Sequence, residues 1–217
     1  MKLLCFDLDN TLIRSTPAHI KAFEKAFTQN SLPKKKRKEI IQSFSVESSK
    51  LVRKLYPSLD AKQVKKVVDD HDLILIQETA KYAKPIPSAK QTLKLLKKEY
   101  ELALLSNCKR KEILCLLHHT KINKSFFKVI IGNDNVKHPK PAPDEIIKAE
   151  QLLKLNDGYM VGDSVYDIRA GRKAKVKTIS VLTGDHSKAQ LQKEKPWKII
   201  KSVKDLPKLL KQESKKI

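Results

Sequence analysis

The chain has 217 residues, 40% of them apolar and enough to bury a substantial core, and no apolar run approaches the roughly 20 residues that span a bilayer, which excludes a helical membrane protein. Its formal net charge of +22 would suit a nucleic-acid partner, but residues 15–84 hold 15 Lys/Arg against 8 Asp/Glu and the remainder 31 against 16, so the excess is even and marks no footprint. Cys5, Cys108 and Cys115 lack metal-ligand or disulfide spacing and are read as reduced thiols, which with no leader-like start gives a cytoplasmic expectation.

Lys2–Asp7 is a short apolar run ending on an acid, the pattern of a buried strand. From about 15 to 84 no strand alternation follows. Apolar residues recur instead at helical spacing, first Ala18, Ala22, Phe23, Ala26 and Phe27, then Val64, Val67, Val68 and Leu75, so a helical insertion is expected. His19 lies on the first of these faces, where a lone histidine is more often structural than functional. Pro33-Lys34-Lys35-Lys36-Arg37-Lys38 resembles an import signal or a phosphate-backbone contact. Proline favours helix starts and Lys and Arg are good helix formers, so the run is read as the solvated first turns of a helix. Pro85 and Pro87 end the helical stretch.

Glu101–Ser106, Lys128–Ile131, Gly158–Val161 and Lys177–Leu182 are further strand-like runs. Amphipathic patterns over 88–98, 112–119, 144–155 and 167–173 separate them. This alternation predicts an α/β chain, a Rossmann-like parallel sheet flanked by helices, with 1–14 and 85–217 forming the core and 15–84 an all-helical insert. His118 and His119 point to different helix faces and form no ligand set, and the lysine-rich tail after about Lys208 is expected to fray.

In such sheets chemistry gathers beyond the carboxyl edge of the strands. There the chain carries Asp7-Leu8-Asp9-Asn10-Thr11, Ser106-Asn107, Lys140, and Gly162-Asp163 with Asp167. Asp7, Asp9 and Asp163 would crowd carboxylates together, which is unfavourable without a cation, and hard oxygens select Mg2+. Singly, each has a plainer reading: Asp7 or Asp163 as a turn residue, Ser106 as a helix N-cap, Asp167 as a first-turn acid. Together those readings require several coincidences.

Phe6-Asp7-Leu8-Asp9-Asn10-Thr11-Leu12, Leu104-Leu105-Ser106-Asn107, Lys140-Pro141-Ala142-Pro143-Asp144 and Val161-Gly162-Asp163-Ser164-Val165-Tyr166-Asp167 stand in an order that resembles the haloacid dehalogenase superfamily. The likeness is to its phosphoglycolate phosphatase-like members with a helical cap. It covers the core, while the helical segment matches in position, length and character. The resemblance implies that Asp7 attacks phosphorus, that Asp9 protonates the leaving oxygen and then activates water, and that Lys140 offsets charge on the transferring group. Ser106 and the Asn107 N–H would grip phosphate oxygens. Asp7, Asp163, the Asp9 carbonyl and, through water, Asp167 would hold Mg2+.

Lys137 is the fallback for Lys140. Asn10 and Ser88 stand where glycine is common in that family, and Arg14 stands where an acid is common. Arg14 is a candidate for a substrate carboxylate or second phosphate, since its planar fork suits such anions. The implied partner is a small phosphorylated metabolite, phosphoglycolate first, with a monomer or homodimer as the working unit. Two alternatives are a phosphomutase and a basic nucleic-acid-binding scaffold; a phosphonate-cleaving enzyme would need a cap lysine for a Schiff base.

Overall fold

The computed structural model describes residues 1–44 and 46–214. The chain opens with β1 (Lys2–Phe6) and β2 (Ile13–Arg14). Four helices follow: α1 (Thr16–Gln29), α2 (Arg37–Ile41), α3 (Ser48–Leu55) and α4 (Ala61–Ile74), the last widening into a π turn (Leu75–Thr79) before tightening into a 3₁₀ turn (Ala80–Tyr82). β3 (Lys84–Pro85), α5 (Ala89–Leu96), β4 (Tyr100–Ser106), α6 (Arg110–Thr120) and β5 (Val129–Gly132) come next. The remainder is α7 (Asp144–Leu153), β6 (Gly158–Gly162), α8 (Val165–Lys173), β7 (Lys177–Val181), α9 (Lys188–Lys193), β8 (Lys198–Ile200) and α10 (Leu206–Ser214).

Six strands form one sheet in the order β5-β4-β1-β6-β7-β8, and every neighbouring pair is parallel. Strand side chains alternate between faces, so Leu4, Phe6, Leu102 and Leu104 enter one apolar cluster while Leu3, Cys5, Ala103 and Leu105 enter another. The first cluster runs on into Phe23, Phe27, Leu51 and Val64, so the helical segment shares a core with one face of the sheet. β2 and β3 pair antiparallel where the chain leaves the sheet and returns to it. The order reverses about β1, and the carboxyl ends beside it form the crevice where open α/β sheets bind ligands.

Local chemistry accounts for the helix starts. Asp60 accepts the Gln63 N–H at 2.8 Å and the Gln63 side chain accepts the Asp60 N–H at 3.0 Å, closing a capping box on α4. Pro17 occupies the first turn of α1.

Two expectations change, and two elements are new. The helix after the basic run begins at Arg37, not Pro33; the Pro33 carbonyl accepts the Tyr56 hydroxyl at 2.6 Å and is diverted from a helical ladder. The tail past Lys208 is helical to Ser214 because Leu206 and Leu210 are buried; Lys215 onward lies outside the described residues. β8 and α9 were not legible as elements. Among the described residues no helix is long and apolar enough to cross a membrane.

Candidate active site

Asp7 extends the β1 ladder by one rung, its N–H donating to the Val161 carbonyl at 2.9 Å, which fixes it at the carboxyl edge between β4 and β6. The chain then turns sharply: Asn10 has φ +57°, a left-handed conformation that Asn tolerates better than most residues. The Thr183 hydroxyl donates to the Asn10 carbonyl at 2.6 Å and the Asn10 amide donates to Thr16 Oγ1 at 2.9 Å, locking the turn.

Lys140 enters from the loop before α7 and is 3% exposed, whereas Lys137 is exposed at the surface. Its Nζ donates to Asp7 Oδ1 at 2.7 Å, to Asp167 Oδ1 at 2.8 Å and to the Leu105 carbonyl at 3.2 Å. The other Asp167 oxygen accepts the Ser164 N–H and hydroxyl at 3.0 and 2.6 Å, a cap that pins it at the start of α8. Asp163 accepts the Thr11 hydroxyl at 3.4 Å.

Asp7, Asp163 and Asp167 are all buried, with one oxygen of each within 4.8 Å of the others, and Asp7 Oδ2 has no hydrogen-bond partner. Two glycines leave room for the carboxylates. A Cβ at Gly184 would stand 1.8 Å from Asp163 Oδ2, and one at Gly162 2.4 Å from Asp167 Oδ2. One ammonium among three carboxylates leaves a negative excess in a dry site. Burial therefore pushes the Asp7 carboxyl up, Lys140 offsets part of the rise, Asp167 and Asp9 add to it, and it reaches about 8. Asp163 is driven well above its ordinary range by burial and then by Asp7 and Asp167. Lys140, despite burial, is held firmly charged by Asp167 and Asp7. An orphaned carboxylate oxygen, an uncompensated charge and an all-oxygen donor set fit a hard divalent cation.

Asp9 has the opposite environment. Burial acts to raise it, but the His19 ring at 3.4 Å, the Ser15 hydroxyl at 2.5 Å and the Cys108 thiol at 3.4 Å outweigh that and hold it well below the usual carboxylate range. Ser106 also donates to Asp9, at 3.1 Å, and its oxygen accepts the Cys108 N–H at 3.1 Å. Asn107 donates its amide to the Lys140 carbonyl at 3.0 Å and so ties the β4 loop to the lysine loop.

Asp7, Asp9, Ser106, Asn107, Lys140, Asp163 and Asp167 thus gather at one sheet edge. Arg14 does not join them: it is exposed on β2, in register with Lys84. Sequence reasoning missed the surroundings of Asp9. His19, for which the sequence favours a structural role over a reach toward the active site of the kind cap-bearing relatives show, faces the acid; its Nδ1 stands 3.2 Å from His71 Nε2, and His71 Nδ1 is 2.9 Å from Asp72 Oδ1. Only the fold brings these together, although His19 on the inner face of α1 was a usable signal. The helical segment closes the cavity with Phe23, Phe44, Val46 and Leu51, leaving a space of about 70 Å³.

A family model described as haloacid dehalogenase-like hydrolase matches residues 4–181. The chain is 30% identical over 190 residues to a phosphoglycolate phosphatase of Aquifex aeolicus, covering 85% of this chain and 86% of that one. It is 26% identical over 204 residues to the pyrophosphatase PpaX of Bacillus mycoides, covering 93% of each. The solved structure of a hydrolase from Pseudomonas syringae superposes with a TM-score of 0.86 at 19% identity, over 98% of this chain and 99% of that one.

Proposed function

The chain belongs to the haloacid dehalogenase-like hydrolases, and on that premise we propose that it removes phosphate from a small phosphomonoester through an aspartyl-phosphate on Asp7, with Mg2+ as its metal. The observation that carries this reading is Asp7 itself. One oxygen is held by Lys140 and the other is buried and unpartnered, inside a carboxylate cluster that calls for a cation.

Asp7, Asp163 and Asp167 are the side chains that would hold Mg2+, with the Asp9 carbonyl beside them. Bound there, the ion would neutralise the cluster, keep Asp7 ionised as a nucleophile and screen it from the phosphate dianion. Asp7 forms the new O–P bond as the leaving oxygen departs. Lys140 keeps a fixed positive charge beside the transferring group, and Ser106 and the Asn107 N–H supply donors to its oxygens.

Asp9 starts ionised. As the anionic substrate enters, Asp9's proton affinity rises and it takes up a proton from solvent before the site closes; it gives that proton to the leaving oxygen and then, ionised again, takes one from the water that hydrolyses the acyl phosphate, which leaves it protonated for the next turnover. Residues 15–84 serve as a cap that excludes bulk water, hinged at β2 and β3. Phosphoglycolate is the first compound to try by likeness.

Asp7→Asn keeps the side chain's size and removes the nucleophile. Turnover should fall by at least about a thousandfold while the circular dichroism spectrum stays unchanged. Retained turnover in the folded variant would exclude Asp7.

A further inference from the structure

Which phosphomonoester the site accepts depends on what the leaving group meets once the phosphoryl group lies against Asp7. From the walls of the cavity we infer that the leaving group is small, uncharged and partly apolar, so that compounds carrying a second anion, such as phosphoglycolate and pyrophosphate, are disfavoured substrates. This rests on the phosphatase reading above and narrows it.

A bound anion needs a cation or several aimed donors, because burying a carboxylate against carbon without them is strongly unfavourable. Among the described residues lining the cavity, Lys140 is the sole lysine or arginine, and its Nζ is committed to Asp7, Asp167 and the Leu105 carbonyl. His19 is no substitute. Its Nε2 faces Asp9 and its Nδ1 faces His71, so both ring nitrogens are occupied within the protein. Arg14, the candidate from sequence, is exposed on β2 and absent from the lining.

The wall opposite the carboxylates is carbon. Phe23 and Leu51 are fully buried in it, and Phe44 and Val46 are half-buried and packed on the same apolar cluster. Phe44 lies edge-on to His19, with ring centroids 6.0 Å apart, and Phe23 stacks on His71 at 3.9 Å, which closes the wall against rotation of either imidazole towards the substrate. Of the neutral polar groups in the lining, Ser15 and Cys108 are turned to Asp9 and Ser164 to Asp167, and Asn10, Thr16 and Ser48 suit a hydroxyl better than a carboxylate.

The cavity, about 70 Å³ and walled by Phe23, Phe44, Val46 and Leu51, favours a short leaving group over a bulky one, while the wall chemistry decides between charged and uncharged ones. The basic exterior draws anions to the molecule from a distance, but a distant field does not replace a contact partner inside a dry cavity.

The test uses the intact enzyme with Mg2+ and a matched pair of esters. Isobutyl phosphate has nearly the shape of phosphoglycolate with methyl groups in place of the carboxylate oxygens. Its kcat/KM should exceed that of phosphoglycolate and of pyrophosphate by tenfold or more. Val46→Lys and, as a separate variant at another half-buried wall position, Phe44→Lys should each narrow the isobutyl phosphate to phosphoglycolate ratio at least fivefold. A parent enzyme that prefers phosphoglycolate or pyrophosphate, or lysine variants that leave the ratio unmoved, would overturn the inference while the phosphatase reading stood. No release of phosphate from any of these or from p-nitrophenyl phosphate would instead sink the phosphatase reading, and the inference with it.

Discussion

Replacing Lys140 with Met removes the one ammonium that faces both Asp7 and Asp167. At 2.7 and 2.8 Å, and with an effective dielectric constant near 20, each attraction is about 6 kcal/mol before the cost of drying the ammonium is subtracted. That cost is several kcal/mol, and removing one member of a buried pair typically destabilises by about 3–5 kcal/mol.

The loss must depend on pH. Asp7 titrates near pH 8 in the folded protein and near 3.9 when unfolded, so the native state binds that proton more tightly. Its contribution is therefore most favourable below about pH 4 and is lost as pH rises towards 8. Without Lys140 the carboxyl moves higher still. In EDTA the gap between Lys140→Met and the parent should be about 3 kcal/mol at pH 5, where Asp7 holds a proton, and wider by about 1 kcal/mol at pH 8.5, where the parent's Asp7 has ionised and the variant's has not. Urea unfolding at a series of pH values measures it, and added Mg2+ should close part of the gap. A gap that is flat with pH, or widest in acid, would refute the electrostatic account of the cluster.

Gly184→Ala should weaken Mg2+ binding at least tenfold by isothermal titration calorimetry, because the new Cβ overlaps the Asp163 carboxylate; unchanged affinity would remove Asp163 from the proposed ligand set. Ser88 sits at φ +66° with no side-chain cap bond, so Ser88→Gly should stabilise the protein by about 0.5–1 kcal/mol in thermal or urea unfolding, the relief of left-handed strain exceeding the added chain entropy. His71 is lowered to about 4 chiefly by burial, against the opposing pull of Asp72, so it favours the folded state above pH 6.5 and that support is lost as pH falls towards 4. About 3 kcal/mol is at stake, and His71→Phe should flatten the fall of melting temperature across that window; an equally steep fall would assign acid sensitivity elsewhere.

Much of this was legible in the residues because period and burial agree. The five longer strands are nearly continuous apolar runs, as strands buried on both faces must be, and each was found to within a residue or two at its ends. β8 escaped because one exposed lysine and two half-buried isoleucines make no run, and α9 because one buried leucine makes no stripe. At the site, Asp7, Asp163 and Lys140 could be read from their place after strands. The hold on Asp9 could not, since Ser15, His19 and Cys108 reach it from the β2–α1 junction, a helix and a loop that only tertiary structure juxtaposes. Asn10 and Ser88 show a subtler case: their departure from glycine was visible, and the structure supplies its meaning in two left-handed backbone positions.

The middle position of β1 has a consequence for biosynthesis. β1 is translated well before the strands that must flank Phe6, at Leu104 and Val161. The nascent β1 therefore waits, sticky and unpaired, until both of those later strands have left the exit tunnel, and the aspartate that follows it cannot reach its working position before then.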